Sequence, residues 1–458
     1  MRKPFLYLAC LIPLLAGCGG LESTPTSRSV QPTGRTSGGR VPGQTRGRPA
    51  RVAATRIDYH GWSALKMSNG IVTVVAVPDI GGRILEYKLG GHPFLWANPD
   101  EFGKAYDPPT TEQERTWHNF GGYKVWPAPQ DRWHGPPDPL GSQLDGGRWQ
   151  ADVGPSAPTA ASFKLTSPAD KAVTGLQVTR EVTLHAGTTR VTVKETFTNV
   201  TDEPITWSIW DVTQVPGAVD KRHKFSDKAR VYFPLNPQSK FANGFREIVE
   251  GGGRQWMPDI APGIMGVAYA MQQGKIGADS VAGWIAYVDE LHEYAYVKRF
   301  AVEKGRKYPD EGSTVEVWCS GDLPYMEVEV LSPLTQIEPG NSFSRTIEWY
   351  ACRCGGPIVA CTDVGVVQQP LKIDRGPDKT ELSGRFGVFL PGTVEITFQD
   401  AKEREISVAR SLSVSPDKVL ELKQVVTVPE DAHRVVLQVV NEAGTPVGIL
   451  ASAPMEGM

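Results

Sequence analysis

The stretches GLQVTREVTL at 175–184 and RVTVKETFTNV at 190–200 alternate apolar and polar residues with a period of two. That period belongs to a β-strand with one face in a core and the other toward water or a groove. Similar runs, alternating or continuously apolar and bounded by Gly, Pro, Asp or Asn, predict strands over 71–77, 83–88, 174–184, 190–198, 205–213, 229–233, 264–270, 282–287, 293–300, 314–319, 325–331 and 343–351. No long stretch carries the 3.6-residue period of an amphipathic helix, and 48 Gly and 37 Pro in 458 residues supply the turns that many short strands require. The chain therefore reads as all-β, with a large antiparallel sandwich over 57–362 rather than an α/β fold. From about 363 the texture becomes polar and turn-rich, then GTVEITFQD, VLELKQVVTV and HRVVLQVVN return as strands, predicting a small β-sandwich-like module over 363–458. Holding no Cys, no Trp and only His433, that module is expected to carry no chemistry.

The N-terminal end of the chain differs in charge from the rest. Arg2 and Lys3 precede an apolar run from Phe5 to Gly17, too short for the roughly 20 residues a membrane helix needs. Its end, Leu15-Ala16-Gly17-Cys18, resembles the bacterial lipoprotein signal, which implies removal of residues 1–17 and lipidation of Cys18. The competing reading is an ordinary secretory signal with an incidental cysteine. Residues 18–56 are Gly, Ser, Thr, Pro and Arg with almost no large apolar side chain, and read as a disordered tether. Seven arginines against Glu22 give residues 19–56 a net charge of +6, and the first eighteen residues add +2; a whole-chain charge of −3 leaves −11 for the remainder. A basic tether could settle on anionic headgroups or act as a spacer. The acidic body excludes nucleic acid as a partner. The expected address is the cell envelope, with a membrane contact through the N-terminal lipid. In that oxidising setting Cys319, Cys352, Cys354 and Cys361 allow three pairings and at least one disulfide is expected. Their spacing does not suit zinc.

Residues 117–149 read WHNFGGYKVWPAPQDRWHGPPDPLGSQLDGGRW. A sugar has apolar C–H faces and a rim of hydroxyls, so a site for it needs aromatic plates and planar polar side chains. This stretch supplies both: Trp126 and Trp133, with His118, Asn119, Lys124, Gln130, Asp131, Arg132 and His134 between and around them. Trp210, from a predicted strand, is a further candidate plate. The alternative is that the tryptophans are core and the Pro/Gly-rich string packs a loop across a sheet.

Three segments resemble one superfamily. GGRILEYKLGGHPFLW at 81–96 is similar to the opening of galactose mutarotase-like β-supersandwich proteins. FGGYKVWPAPQ at 120–130, with WHG at 133–135 and GGRW at 146–149, resembles the hexose-phosphate mutarotase branch. YMEVEVLSPLTQIEPGNSF at 325–343 resembles the segment bearing that superfamily's catalytic glutamate. Within it, the chain is most similar to a bacterial family sharing the GG…WPAPQ stretch and a YPD segment like 308–310. The likeness spans about 58–352. It implies a supersandwich fold, Glu329 as general base on the anomeric hydroxyl, and His134 near the first of two family histidines. The second histidine has no counterpart: TNVTDEPITWSIWDVTQV offers Trp207, Trp210, Asp211 and Gln214, and Asp211 could serve as the acid only if burial raised its pKa. Phe120 stands where the phosphate-sugar branch has arginine, so a sugar phosphate is not the expected ligand.

Three functions follow. The chain binds carbohydrate in an envelope lipoprotein; or it is an active aldose mutarotase, or a polysaccharide-processing enzyme, with Glu329 as base; or the sandwich is a non-catalytic interaction scaffold. The first two require His134, Asp131, Trp133, Asp211 and Glu329 to converge on one face. The sequence holds no phosphate loop, no Gly-x-Ser-x-Gly elbow and no paired-histidine zinc motif, so no cofactor or metal is expected. It leaves the oligomeric state open.

Overall fold

The computed structural model describes residues 52–107, 111, 116–133, 143–218, 226–376 and 379–455. The signal segment, Cys18, nearly all of the expected tether and His134 lie outside the described residues. Among the described residues, regular structure is β-strand apart from 3-10 turns such as Pro99–Glu101, Gln130–Arg132 and Gly253–Gln255. The first strand, Ala53–Tyr59, begins inside the stretch expected to be tether. It pairs in register with Trp62–Ser68, and Arg56 lies opposite Leu65.

Two large antiparallel sheets form the body. The first runs, edge to edge, through Ala53–Tyr59, Trp62–Ser68, Val72–Val77, Arg83–Leu89, Tyr123–Ala128, Ile205–Pro216, Tyr325–Leu331, Val315–Cys319, Gly274–Ala278 and Arg246–Val249. The second holds Trp256–Ala261, Ile264–Ala268, Ala229–Pro234, Trp284–Asp289, Tyr294–Phe300, Ser342–Arg353, Val191–Asn199, Leu176–His185, Ala160–Thr166 and Gln150–Ala157. Leu176–His185 shows the alternation its sequence predicts: Leu176, Val178, Arg180, Val182 and Leu184 are buried and the residues between them are not. Arg180 is the polar member of that face. Its guanidinium donates to the carbonyls of Gly81 and Gly82 at 2.6 Å and lies 4.3 Å over the Trp149 ring.

Between the sheets the rings of Tyr87, Tyr123 and Tyr296 surround Trp349 at 4.8–5.8 Å. Polar bonds cross the same layer. Tyr123 donates to Glu195 at 2.6 Å, Lys298 is ion-paired with Asp211, and Arg345, which holds the other Glu195 oxygen within the second sheet, donates across to the Val330 carbonyl at 3.0 Å. A buried polar group that finds its partner only in the facing sheet fixes the relative position of the two sheets.

The C-terminal strands form two four-stranded sheets. One runs Ala360–Cys361, Gly365–Arg375, Thr380–Val388, Leu420–Val426, and the other Glu405–Val414, Gly392–Gln399, Arg434–Asn441, Pro446–Pro454. The module packs on the outer face of the second large sheet: Phe386, Phe389 and Val364 share one apolar cluster with Tyr232, Trp284, Val297 and Tyr350. The expected disulfide is not formed; Cys319, Cys352, Cys354 and Cys361 are free thiols. Cys319 belongs to the core between the large sheets and Cys352 and Cys354 to the cluster beneath the module. Burial pushes the thiols of Cys354 and Cys361 up to about 12.

Because this cluster joins module and sandwich, Phe386→Ala is expected to cost about 3 to 5 kcal/mol and to leave denaturant unfolding a single transition when followed by tryptophan fluorescence, although the module holds no Trp. Early loss of the module without a change in fluorescence would show that it unfolds alone.

Candidate functional site

Five adjacent strands of the first sheet build the site on the face turned away from the second sheet. The Gly121–Gly122 bend delivers the first of them. Both residues have positive φ, 86° and 72°, and a Cβ on either would lie 2.3 Å from a carbonyl oxygen, of Trp96 or Ile84. Asn119, buried, accepts from the Gly121 amide at 3.2 Å and shapes this bend. Beyond it, Lys124 and Trp126 point outward, opposite Val212 and Trp210 of the next strand. That strand and its next neighbour, Tyr325–Leu331, continue the face with Gln214, Glu327 and Glu329, since Val212 faces Glu329 and Gln214 faces Glu327 across the ladder. Glu316 and Trp318 extend it, opposite Glu329 and Glu327, and Lys275 lies opposite Trp318.

These side chains are matched charge to charge. Lys124 donates to Glu327 at 2.8 Å, Gln214 donates to the same oxygen at 2.9 Å, and burial lowers the Lys124 pKa. Lys275 stands between two buried carboxylates, 2.6 Å from Glu316 and 2.9 Å from Glu329, with its ammonium 4.3 Å over the Trp210 ring. Burial raises both carboxyls, Glu316 well above its ordinary value, while the two carboxylates raise Lys275 and keep it charged. Asp145 orients two plates, accepting from the indoles of Trp117 at 3.0 Å and Trp126 at 2.9 Å and pairing with Arg83 at 2.5 Å.

Above this floor opens a cleft of about 880 Å3. Trp117, Trp126, Trp210, Trp318 and Tyr325 wall it, and Gln130, Gln273, Lys275, Asp310, Asp322 and Glu327 supply polar groups. Tyr325 is backed by Trp96, stacked at 4.8 Å. Aromatic faces interspersed with amide and carboxylate groups suit a ligand with apolar faces and a hydroxyl rim.

Of the residues singled out in the sequence, Trp126, Trp210 and Gln130 line the cleft and Lys124 lies beneath it. Glu329 lies under the floor, fully buried, and its Oε2 accepts from the Trp210 indole at 2.6 Å. Of the two strand glutamates it is Glu327, two residues earlier, that reaches the cleft. Burial does raise the Asp211 carboxyl, to about 7, but alternation puts Asp211 on the inner face with Lys298, across the sheet from Glu329. Trp133 is buried edge-on to Trp126 at 6.4 Å, and its indole donates to the Pro127 carbonyl at 2.9 Å. Arg132 fastens the loop to a strand, 4.6 Å over Trp207 and donating to the Thr206 carbonyl. Asp131 is exposed on the turn, and His118 stacks on Tyr106 at 3.5 Å. The five residues required to converge therefore do not: Asp211 and Glu329 are divided by the sheet, Asp131 and Trp133 do not line the cleft, and His134 is outside the described residues.

Lys275, Glu316, Trp318 and Asp322 were not singled out in the sequence, and Asp310 and Tyr325 were seen only as members of the YPD and YMEVEVL segments, without a role. STVEVWCS does carry a signal, because period two puts Glu316 and Trp318 together on the face opposite Val315, Val317 and Cys319.

A model of the family described as a domain of unknown function, DUF4380, matches residues 63–352. The chain belongs to this family. The match covers both large sheets almost completely and stops before the C-terminal module. No curated protein matches the sequence. Among solved structures, the DUF4380 chain is similar to a TPR-domain containing protein from Parabacteroides distasonis, at 12% identity and a TM-score of 0.45, over 66% of this chain and 49% of that one, so it spans about half of that protein. It is also similar to a galactose mutarotase-like protein from Clostridium acetobutylicum, at 11% identity and a TM-score of 0.41, over 66% of this chain and 99% of that one. A galactose mutarotase related enzyme from Lactobacillus acidophilus gives 11% identity and a TM-score of 0.41, over 65% and 100%.

The Lys275 cluster makes a pH prediction. With the Glu316 carboxyl raised well above its ordinary 4.5, the folded chain keeps a proton that the unfolded chain releases, so stability falls as pH rises above that value. Glu316→Gln removes the ionisation. Its denaturant midpoint is expected to exceed the parent's at pH 8 and to match it near pH 4; a variant less stable at pH 8 would show that Lys275 needs both carboxylates.

Proposed function

We propose that the protein is a carbohydrate-binding lipoprotein of the cell envelope, and that the sugar lies in the cleft on the first sheet. The observation that carries the reading is the set of aromatic walls, Trp117, Trp126, Trp210, Trp318 and Tyr325, around the polar groups of Gln130, Gln273 and Glu327. Half-buried Trp117 and Trp318 offer plates to the apolar faces of a pyranose, while amide and carboxylate oxygens accept from its hydroxyls. Binding is favoured over anomer interconversion. Glu329 has no exposed surface and is held by Trp210 and Lys275, so a sugar hydroxyl cannot reach it without rearrangement. Asp211 faces the other way.

Calorimetric titration with neutral and uronic-acid oligosaccharides is expected to find a binder, and Trp117→Ala and Trp318→Ala each to weaken it about tenfold, or about 1.4 kcal/mol. NMR exchange spectroscopy is expected to show no acceleration of anomer exchange. An acceleration abolished by Glu327→Gln would make the protein an epimerase instead, and silence across the whole panel from folded protein would remove the carbohydrate reading.

The anchor is a separate proposal resting on Leu15-Ala16-Gly17-Cys18 and the basic tether. Cys18→Ser is expected to move the protein from the detergent phase to the aqueous phase and to abolish incorporation of labelled fatty acid; unchanged partitioning would contradict lipidation.

A further inference from the structure

We propose that the ligand is a chain of sugar units, occupying the aromatic cleft and a second cavity beyond Asp310. The inference rests on the carbohydrate reading of the cleft. The second cavity, of about 660 Å3, opens between the segments around Asn236–Lys240 and Val302–Gly312. Asp310 lines both spaces, and Pro129 on the far side adjoins Gln130 on the near side, so the two meet along one border. Each alone is within the roughly 300–1,000 Å3 that ordinarily takes a drug-sized ligand. A single ring would leave most of this groove to water.

The two halves differ in chemistry. Four tryptophans and a tyrosine wall the near half, whereas the far half has Tyr308 as its one aromatic wall among the described residues, with Asn236, Asp279 and Thr314 as polar groups and a charged rim that includes Lys240, Glu303, Lys304, Arg306 and Lys307. Stacking therefore dominates on one side of Asp310 and hydrogen bonding on the other. Such a gradient suits a chain whose first ring is gripped by its faces and whose later units are held by their hydroxyls.

The border itself is strained. Asp310 and Glu311 have φ of 48° and 57°, and Gly312 follows at 104°. Two successive non-glycine residues in the left-handed region cost about 1 kcal/mol or more each, and the surrounding structure must hold them there. Glu311 pairs with Arg246 at 2.5 Å, the Ser313 hydroxyl donates to the Asp310 carbonyl at 3.1 Å, and a Cβ on Gly312 would meet the Lys240 ammonium at 2.1 Å. Yet among the described residues no cation pairs with the Asp310 carboxylate, whereas Lys124 and Lys275 are each matched to glutamates. The turn holds an unpaired acceptor between the two spaces, in position to receive hydroxyls from the units on either side.

The test is calorimetry with graded neutral and uronic-acid oligosaccharides of one to six units, using the parent protein, Asp310→Asn and Val281→Trp. Val281 lines the far cavity and is 44% exposed, so a tryptophan there fills the space without disturbing a core. Affinity is expected to rise at least tenfold between the disaccharide and the tetrasaccharide. Val281→Trp should erase that gain and leave disaccharide affinity unchanged, and Asp310→Asn should weaken the tetrasaccharide more than the disaccharide. Equal affinity for a monosaccharide and the longest chain, or a length-dependent gain that survives Val281→Trp in a protein with parental circular dichroism, overturns the proposal while leaving the cleft a sugar site. The absence of heat at every length overturns both.

Discussion

In the central strands of the first sheet, neighbouring residues point to opposite faces, and both faces are buried. Tyr123, Val125, Asp211 and Val328 look toward the second sheet, while Lys124, Trp126, Trp210 and Glu329 look away from it. The inner face holds the molecule together through rings around Trp349 and polar pairs that reach the second sheet. The outer face is paved with ions and indoles that mostly satisfy one another. A one-residue slip in register would exchange the two sets, placing Lys124 and Glu329 in the apolar layer. The cleft and the core are two products of one alternation.

Charge matching gives that outer face its character. A lone buried carboxylate would be costly, so Glu327 comes with Lys124 and Gln214, and Lys275 serves Glu316 and Glu329 together. What remains for a ligand is aromatic surface and the groups at the rim. The C-terminal module packs on the outer face of the second sheet, and among the described residues none of its side chains lines the cleft.

Much of this fold was legible because strands announce themselves by period and punctuation. The run predicted at 325–331 is the observed Tyr325–Leu331, and the run at 190–198 is Val191–Asn199. The tether was read a few residues too long because AATR resembles linker, and only its ladder with Trp62–Ser68 makes it strand. The site was half legible. The aromatic density of 117–149 led to Trp126 and Gln130, and the strand pattern to Trp210. Period two also put Glu327 and Glu329 on one face, but depth does not show in a period, so it did not tell which of them opens on the cleft. Asp211 met the electrostatic condition for an acid and failed the geometric one, since neighbours along a strand are separated by the sheet. Lys275 reaches the cleft from a strand far from these segments and Asp322 from the turn between two site strands, and no local pattern marks either; Asp310 was visible only as the end of the YPD segment, without a role.

If the outer face of the first sheet is the binding surface, a crystal structure with a bound oligosaccharide will show sugar density against Trp117 and Trp318 with hydroxyls on Glu327 and Gln273, continuing past Asp310. Density confined to the groove near Arg190, Arg299 and Asn441, where the second sheet meets the C-terminal module, would contradict it.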